Sequence, residues 1–375
     1  MSLALAVMLT LQLHAQAPSD WVHPRGDASL RALHELALPL PLQPLWSLSL
    51  GAHTEASPIL VQGRVLIGAE DGVLRAFDLS SGKEVWKRDL GAPIGASAAL
   101  VGSRVVLGDY AGTVHGLDPS SGAPLWRVKT GAKILGAANR LRQGRRDIAL
   151  IGSYDAKVYA IDVSRGEVLW THSTDNYVHG SPSVAEGLVV VGGCDGVVHV
   201  LDAQSGINAG SVSIGPQIGA SIALVGTHAY FGHYANRFEA WDLDKGEVLW
   251  RYKDRAFPYF SSPAVRGDRV VFGGRDQRVH ALDRRTGKLL WVHRTRGKVD
   301  ASPVIAGQVV FIGSHDGRLR ALDLSEGKVL WSHDMGAPIS GSVAIAPGHL
   351  VVVNERGQLK AFRSEQPKPS SSGSP

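Results

Sequence analysis

The stretch FDLSSGKEVW, Phe77 to Trp86, returns along the chain at a nearly constant interval. LDPSSGAPLW starts at Leu117, IDVSRGEVLW at Ile161, WDLDKGEVLW at Trp241, LDRRTGKLLW at Leu282 and LDLSEGKVLW at Leu322, with a decayed copy, LDAQSGINAG, at Leu201. The signature Asp stands at 78, 118, 162, 202, 242, 283 and 323, so the gaps are 40, 44, 40, 40, 41 and 40 residues. A period of that length restricts the chain to a repeat architecture, in which each unit buries its apolar face against its neighbours.

Two further landmarks keep the same period. A Gly-x-x-Asp-Gly turn precedes each decapeptide, as GAEDG at Gly68, GGCDG at Gly192 and GSHDG at Gly313, and an eighth variant, VNERG, starts at Val353. A small-Ser-Pro or small-Ser pair opens each unit, as ASP at Ala56 and Ala301, SSP at Ser261 and GS at Gly341. Between landmarks run short β-branched stretches such as RVLIG and RVVFG, and alternating ones such as KVYAID and RVHALD. No helical period occurs inside the repeat. Four strands in about 40 residues, repeated, predict an all-β, eight-bladed β-propeller of four-stranded antiparallel blades. The last unit stops before its Asp-Gly-Trp portion, while Trp46 has no strands of its own unit before it. The N-terminal strand is therefore expected to pair with the last blade and close the ring; seven blades would follow if it did not. Closure removes the sheet edges an open stack would expose.

The decapeptide reads as architecture. Asp78 ends a strand and can accept hydrogen bonds from the turn that follows, and Gly82 suits a left-handed turn position. Trp86 can fill the gap between adjacent blades, with a small residue (Ala76 here, Gly116 or Ala160 in other units) leaving room for it. Burying one indole removes roughly 150–250 Å² from water, at most about 4–6 kcal/mol. The fourth unit carries Gly210 in the Trp position, so its outer strand is expected to be the loosest. The third unit is four residues longer, mostly in NRLRQGRRD, which predicts a basic loop on the face opposite the Gly-x-x-Asp-Gly turns.

Bulk properties narrow the function classes. The 375 residues carry a formal charge of +5 with Lys and Arg scattered among Asp and Glu, unlike a nucleic-acid-binding face. The one cysteine, Cys194, allows no internal disulfide or thiolate metal cluster, and reads as an inert small hydrophobe. An apolar run from Leu3 to Leu13 before Ala15-Gln16-Ala17 predicts an export signal over residues 1–17, and no segment is long enough for a transmembrane helix. The expected layout is a lead-in at 18–44, the propeller at 45–363 and a disordered tail at 364–375, as a periplasmic or secreted monomer.

The unit ALDRRTGKLLW from Ala281 resembles the pyrroloquinoline-quinone (PQQ) repeat, and DWVHPRGDASLRALHELALPLPLQPLW resembles the lead-in of exported proteins built from it. The resemblance covers roughly residues 20 to 363. It implies the propeller fold and two functional branches: quinoprotein dehydrogenases, and non-enzymatic scaffolds similar to the BamB subunit of the outer-membrane β-barrel assembly machinery. The enzyme branch implies PQQ stacked on a Trp platform, with a calcium, an Asp base and in some members a vicinal disulfide. One cysteine forbids that disulfide. Of nine Trp residues, seven occupy the repeat position, Trp241 fills an apolar slot, and Trp21 is expected outside the ring. The expectation is therefore a scaffold without cofactor, metal or catalytic residues that binds a protein or peptide, with a PQQ-dependent or other small-molecule enzyme as the alternative.

Two rings of positions vary where the blades need not be alike. One is the third residue of the upstream turn, which includes Tyr110, Tyr154, Tyr234, Arg275 and His315; the other lies just before the opening Ser and includes Glu55, Gly136, His179, Phe260 and Asp300. Both belong to loops on one face, around the channel mouth. With Tyr259, from the aromatic loop DRAFPYF, the set Glu55, Tyr110, Tyr154, His179, Tyr234, Tyr259, Phe260, Arg275, Asp300 and His315 forms the candidate partner-binding surface. His179, His233 and His315 are the histidines a ring could bring together there.

Overall fold

The computed structural model describes residues 20–364, and among them it contains strands and turns but no helix. The expected export signal and residues 365–375 of the expected tail lie outside the described residues. Eight antiparallel sheets form the blades. The first is a four-strand meander of Ile59–Val61, Arg64–Gly68, Val73–Asp78 and Glu84–Asp89. Its two middle strands are the apolar stretches, and Val65, Leu66, Leu74 and Ala76 are fully buried.

The eighth blade closes the ring as expected. Ala344–Ala346, His349–Val353 and Gln358–Ser364 come from the C-terminal end, and Leu42–Ser49 supplies the outer strand. Trp46 pairs with Ala361, the same register that sets Trp86 against Ala76. The blade strands thus begin at Leu42 and end at Ser364, slightly beyond the expected 45–363.

Each indole lies opposite the small residue of its own third strand, beside a one-residue bulge: Trp126 on Gly116, Trp170 on Ala160, Trp250 on Ala240 and Trp291 on Ala281. It also reaches the next blade. Trp46, Trp126, Trp250 and Trp291 donate their Nε1–H to Leu79, Val163, Arg284 and Leu324 carbonyls at 2.8–2.9 Å. Their faces cover the turn glycine of that blade. A Cβ on Gly327 would stand 2.5 Å from Trp291 Cε3, and Gly327 has φ +71°. Where the fourth blade lacks its Trp, Val200 replaces the small partner opposite Gly210, and Gly246 of the next blade has nothing within 4 Å of its Cβ position. The outer strand Asn208–Ser213 still forms in the common register.

Two expectations are corrected. The extra length in the third unit is not a loop: it lengthens a hairpin, Asn139–Gln143 with Arg146–Ser153, because alternating Leu141 and Ile148 can bury one side of a longer ladder. Its tip does lie on the opposite face, where Arg104, Arg145, Arg146 and Arg165 border one cavity. Trp21 is not outside the ring either; it is 2 % exposed and joins the largest apolar cluster.

Trp21 is placed by the lead-in, which lines the channel. Carbonyls of Trp21, Val22, Ala28, Ser29, Arg31 and Ala32 accept the N–H groups of Leu60, Leu100, Val184, Leu224, Val265 and Ile305, one from the innermost strand of each of six blades. Leu33–His34 then adds to Val304–Ala306 as a parallel fifth strand of the seventh blade. These inner edges would otherwise face the channel unpaired.

Candidate functional site

The four-stranded meander puts the Gly-x-x-Asp-Gly turns and the links between blades on the same end of the ring. A repeated hydrogen bond locks them together: the N–H of the third turn residue donates to a carbonyl of the preceding link, as in Tyr110 to Pro93, Cys194 to Tyr177, Tyr234 to Gln217 and His315 to Lys298. The two variable rings therefore meet around one opening. Glu55, His179, Tyr234, Phe260, Arg275, Asp300 and His315 line a single vestibule of about 400 Å³ together with Lys298 and Ser340.

One side of the mouth is aromatic. Tyr234 and Phe260 have ring centroids 4.4 Å apart. Tyr154 stacks on Tyr177 at 4.8 Å, Lys133 Nζ lies 4.6 Å from the Tyr154 centroid, and the Tyr154 hydroxyl is 2.6 Å from His179 Nδ1. Burial first, then nearby Cys194 and other tyrosines, push the Tyr154 hydroxyl up to about 12. Burial, then Lys133, lowers His179 below the usual imidazole range. Both are therefore neutral near pH 7. Tyr110 lies further round and donates to Glu70 at 3.3 Å.

The other side is an ionic network. Arg275 grips Asp300 with two hydrogen bonds, at 2.9 and 3.0 Å, and its guanidinium lies 4.1 Å from the Phe260 centroid. Lys298 Nζ is 2.8 Å from Asp300. Burial acts to raise the Asp300 carboxyl, but hydrogen bonds and charge from Arg275 and Lys298 outweigh it and hold it below the usual carboxylate range. His315 is 3.6 Å from both Asp300 and Glu355, and the Ser340 hydroxyl bridges His315 at 3.0 Å and Glu355 at 2.5 Å. Phe260 is the hinge between the halves, a ring with tyrosine on one side and guanidinium on the other.

Tyr259 does not belong to this surface. It is 1 % exposed and packs edge-on against Phe272 and His280, because DRAFPYF turns its second aromatic into the blade. Phe257 of the same loop is exposed instead. The ring position expected at Gly136 falls on Leu135, since Ile134 makes the bond to Asp109 that Ile94 makes to Ala69. Tyr177, Lys133 and Lys298 form a third variable ring that the sequence reading missed. Their constant distance upstream of the opening Ser could have revealed it.

The three histidines are not assembled as ligands. His233 is buried beside Glu239 at 3.4 Å, away from His179 and its tyrosine partner. Among the described residues, Asp254, Asp276 and His280 are close enough to share an ion. Internal partners engage all three: Arg278 pairs with Asp254, and His280 bridges Asp276 and the Tyr252 hydroxyl. Related pairs, Asp195–His199 and Asp316–Arg320, join turn to third strand in other blades, so this is a repeated structural brace. Burial, then Asp195, raises the Cys194 thiol and keeps it protonated.

Below the vestibule the channel narrows to a throat of about 200 Å³, bordered by the opening serines and by Pro24 and Arg25 of the lead-in. Trp241 is buried with its Nε1 on Glu239 at 2.8 Å, and Trp21 packs in the core. No indole borders either cavity among the described residues, so the lining offers a stacked quinone no Trp platform.

The family model described as outer membrane protein assembly factor BamB matches residues 43–143, 111–253 and 194–368. The fold is similar to BamB from Moraxella catarrhalis, with TM-score 0.72 and 19% identity over 88% of this chain and 100% of that one. It is also similar to a quinohemoprotein alcohol dehydrogenase from Pseudomonas putida, with TM-score 0.79 and 13% identity over 94% of this chain and 82% of that one. The Comamonas testosteroni enzyme matches with TM-score 0.78 and 14% identity over 94% and 82%. A lanthanide-dependent methanol dehydrogenase from Methylacidiphilum fumariolicum is 31% identical over 87 residues, which are 23% of this chain and 14% of that enzyme. The matches of the family model together span residues 43–368, and the chain belongs to the family of outer membrane protein assembly factor BamB.

Proposed function

We propose that this protein is a non-enzymatic, monomeric scaffold of the cell envelope, periplasmic or secreted, that holds a protein or peptide partner at the vestibule during outer-membrane protein assembly. The observation that carries this reading is the mouth itself: Tyr234 and Phe260 beside a fixed Arg275–Asp300 pair, open to solvent on one face of a rigid ring. Aromatic anchors flanked by oriented charge are the groups that dominate protein interfaces. Family membership and the BamB-like fold support the role in assembly.

Cross-linking through a photoreactive residue at Phe257, followed by identification of the captured chain, tests this. The double variant Tyr234→Ala/Phe260→Ala should lose the adduct. An adduct of equal yield in the variant would place the contact elsewhere. The similarity to quinoprotein enzymes favours one rival, PQQ-dependent oxidation at the mouth. Saturable binding of PQQ with calcium, accompanied by dye reduction on alcohols or sugars, would decide for it.

A further inference from the structure

We propose that the throat beneath the vestibule is a carboxylate-binding site, built by Arg25 and a collar of serines, that receives the C-terminal carboxylate of a bound peptide. The peptide source rests on the function proposed above; the anion site rests on the throat alone.

Arg25 is 4 % exposed, and every partner it has is neutral. Nη1 donates to the Pro303 carbonyl at 3.0 Å and Ser342 Oγ at 3.4 Å; Nη2 donates to the Ser262 and Pro263 carbonyls at 3.1 and 2.6 Å. Nε has no partner. No carboxylate pairs with Arg25 among the described residues, and Asp27, two residues on, is bound to Arg31 at 2.7 Å. Burial, offset in part by Asp27, lowers the guanidinium to about 9, so it stays a cation at neutral pH. A buried cation without a counter-charge is unfavourable until an anion joins it.

The serines supply the rest of the cradle. Ser57, Ser97, Ser221, Ser262 and Ser302 each accept, through Oγ, the N–H of the serine in the preceding blade at 2.8–3.0 Å. A hydroxyl that accepts still has its own hydrogen to give, and none of these five donates to another group among the described residues. The opening landmark thus sets O–H donors round the throat that Arg25 borders, where Nε–H is the guanidinium's one unpaired donor among the described residues. Glu55 stands at the rim with its side chain 63% exposed and forms no ion pair with Arg25. The throat shares Glu55, His179, Phe260 and Ser340 with the vestibule, so a ligand enters past the aromatic lip. Its volume of about 200 Å³ suits a chain end and not a folded segment.

Fluorine NMR of trifluoroacetate with the exported form of the protein tests the site. Saturable broadening is expected, reversed by acetate and not by chloride at equal ionic strength. Arg25→Met should abolish it. The triple variant Ser221→Ala/Ser262→Ala/Ser302→Ala, which keeps Arg25, should weaken it at least tenfold, and provides the test if Arg25→Met does not fold. The tripeptide Ala-Ala-Phe as free acid should displace the probe, whereas its C-terminal amide should not. No saturable broadening, equal displacement by chloride, or an unchanged triple variant overturns the site. Displacement by acetate but by neither peptide form overturns its assignment to a chain end. The Tyr234→Ala variant, whose side chain lines the vestibule and not the throat, should weaken the partner adduct yet keep trifluoroacetate; probe binding lost with Tyr234 would put the anion at the mouth and overturn the throat site.

Discussion

Two turn glycines differ chiefly in what lies over them, and comparing them isolates most of what the indole contributes between blades; Gly327 also donates its N–H to the Asp323 carbonyl at 2.8 Å. Gly327 and Gly246 occupy the same turn position with φ +71° and +66°. Alanine at either site meets the left-handed backbone penalty of about 1–2 kcal/mol. At Gly246 that is the whole effect, because the fourth blade has no Trp and nothing lies within 4 Å. At Gly327 the added methyl would stand 2.5 Å from Trp291 Cε3, and the indole is 8 % exposed and tied to Leu324 by its Nε1–H at 2.9 Å. It cannot move without losing packing, about 1–3 kcal/mol for an overfilled site, and part of a hydrogen bond worth about 0.5–1.5 kcal/mol. Gly327→Ala should therefore destabilise by about 2 kcal/mol more than Gly246→Ala. Equilibrium urea unfolding followed by far-ultraviolet circular dichroism reads the difference as a shift in midpoint. A cycle sharpens it: in a Trp291→Ala background, Gly327→Ala should fall to the backbone penalty alone. Equal midpoints for the two alanine variants, or an undiminished effect in the Trp291→Ala background, would refute the indole as the contact that joins blades.

The vacant site should also be fillable. Gly210→Trp with Val200→Ala recreates the pair found in the other blades, and should raise the melting temperature by a few degrees; a fall would mean the gap has another occupant. His23 predicts an acid response. Burial, then Arg25, lowers it from 6.5 to about 3, so on acidification the unfolded chain takes up the proton first. The stabilisation from neutral His23 is complete above about pH 6.5 and is lost as pH falls toward 3, by up to about 1.4 kcal/mol per pH unit. His23→Asn retains an acceptor for the Arg25 N–H, which His23 Nδ1 binds at 3.0 Å, and should flatten the decline in stability between pH 6 and 4; an unchanged slope would exclude His23. On the opposite face, the Arg140–Asp147 and Arg146–Asp162 pairs are partly exposed, and Asp147→Asn should change the urea midpoint by less than about 1 kcal/mol, more at low salt than at high.

The blades and their closure were legible because each landmark answers a demand that recurs every 40 residues. The turn needs Asp and a left-handed Gly, the indole needs a small residue opposite, and the opening serine caps the N–H of its neighbour. Even the exception is internally consistent, since the unit without Trp also exchanges its small partner for Val200. The mouth was legible by subtraction: positions exempt from those demands vary, and seven of the ten candidates share one vestibule. Tyr259 escaped that logic because an aromatic loop contains both buried and presented rings, and only packing separates Tyr259 from Phe257.

The lead-in was illegible for a deeper reason. It is held by its carbonyls, and a carbonyl leaves no residue type behind. Yet the need for it could have been deduced. Each innermost strand turns one edge toward the channel, and its N–H groups require acceptors. The N–H groups of Leu60, Leu100, Val184, Leu224, Val265 and Ile305 find theirs in the segment Trp21 to Ala32. Once main-chain bonds fix that strip across the throat, its side chains have no choice of surroundings. Trp21 enters the core and Arg25 is buried among carbonyls and serines, with no acid paired to it among the described residues. The same bonds that satisfy the inner edges thus carry a positive charge to the wall of the throat, against the sixth, seventh and eighth blades.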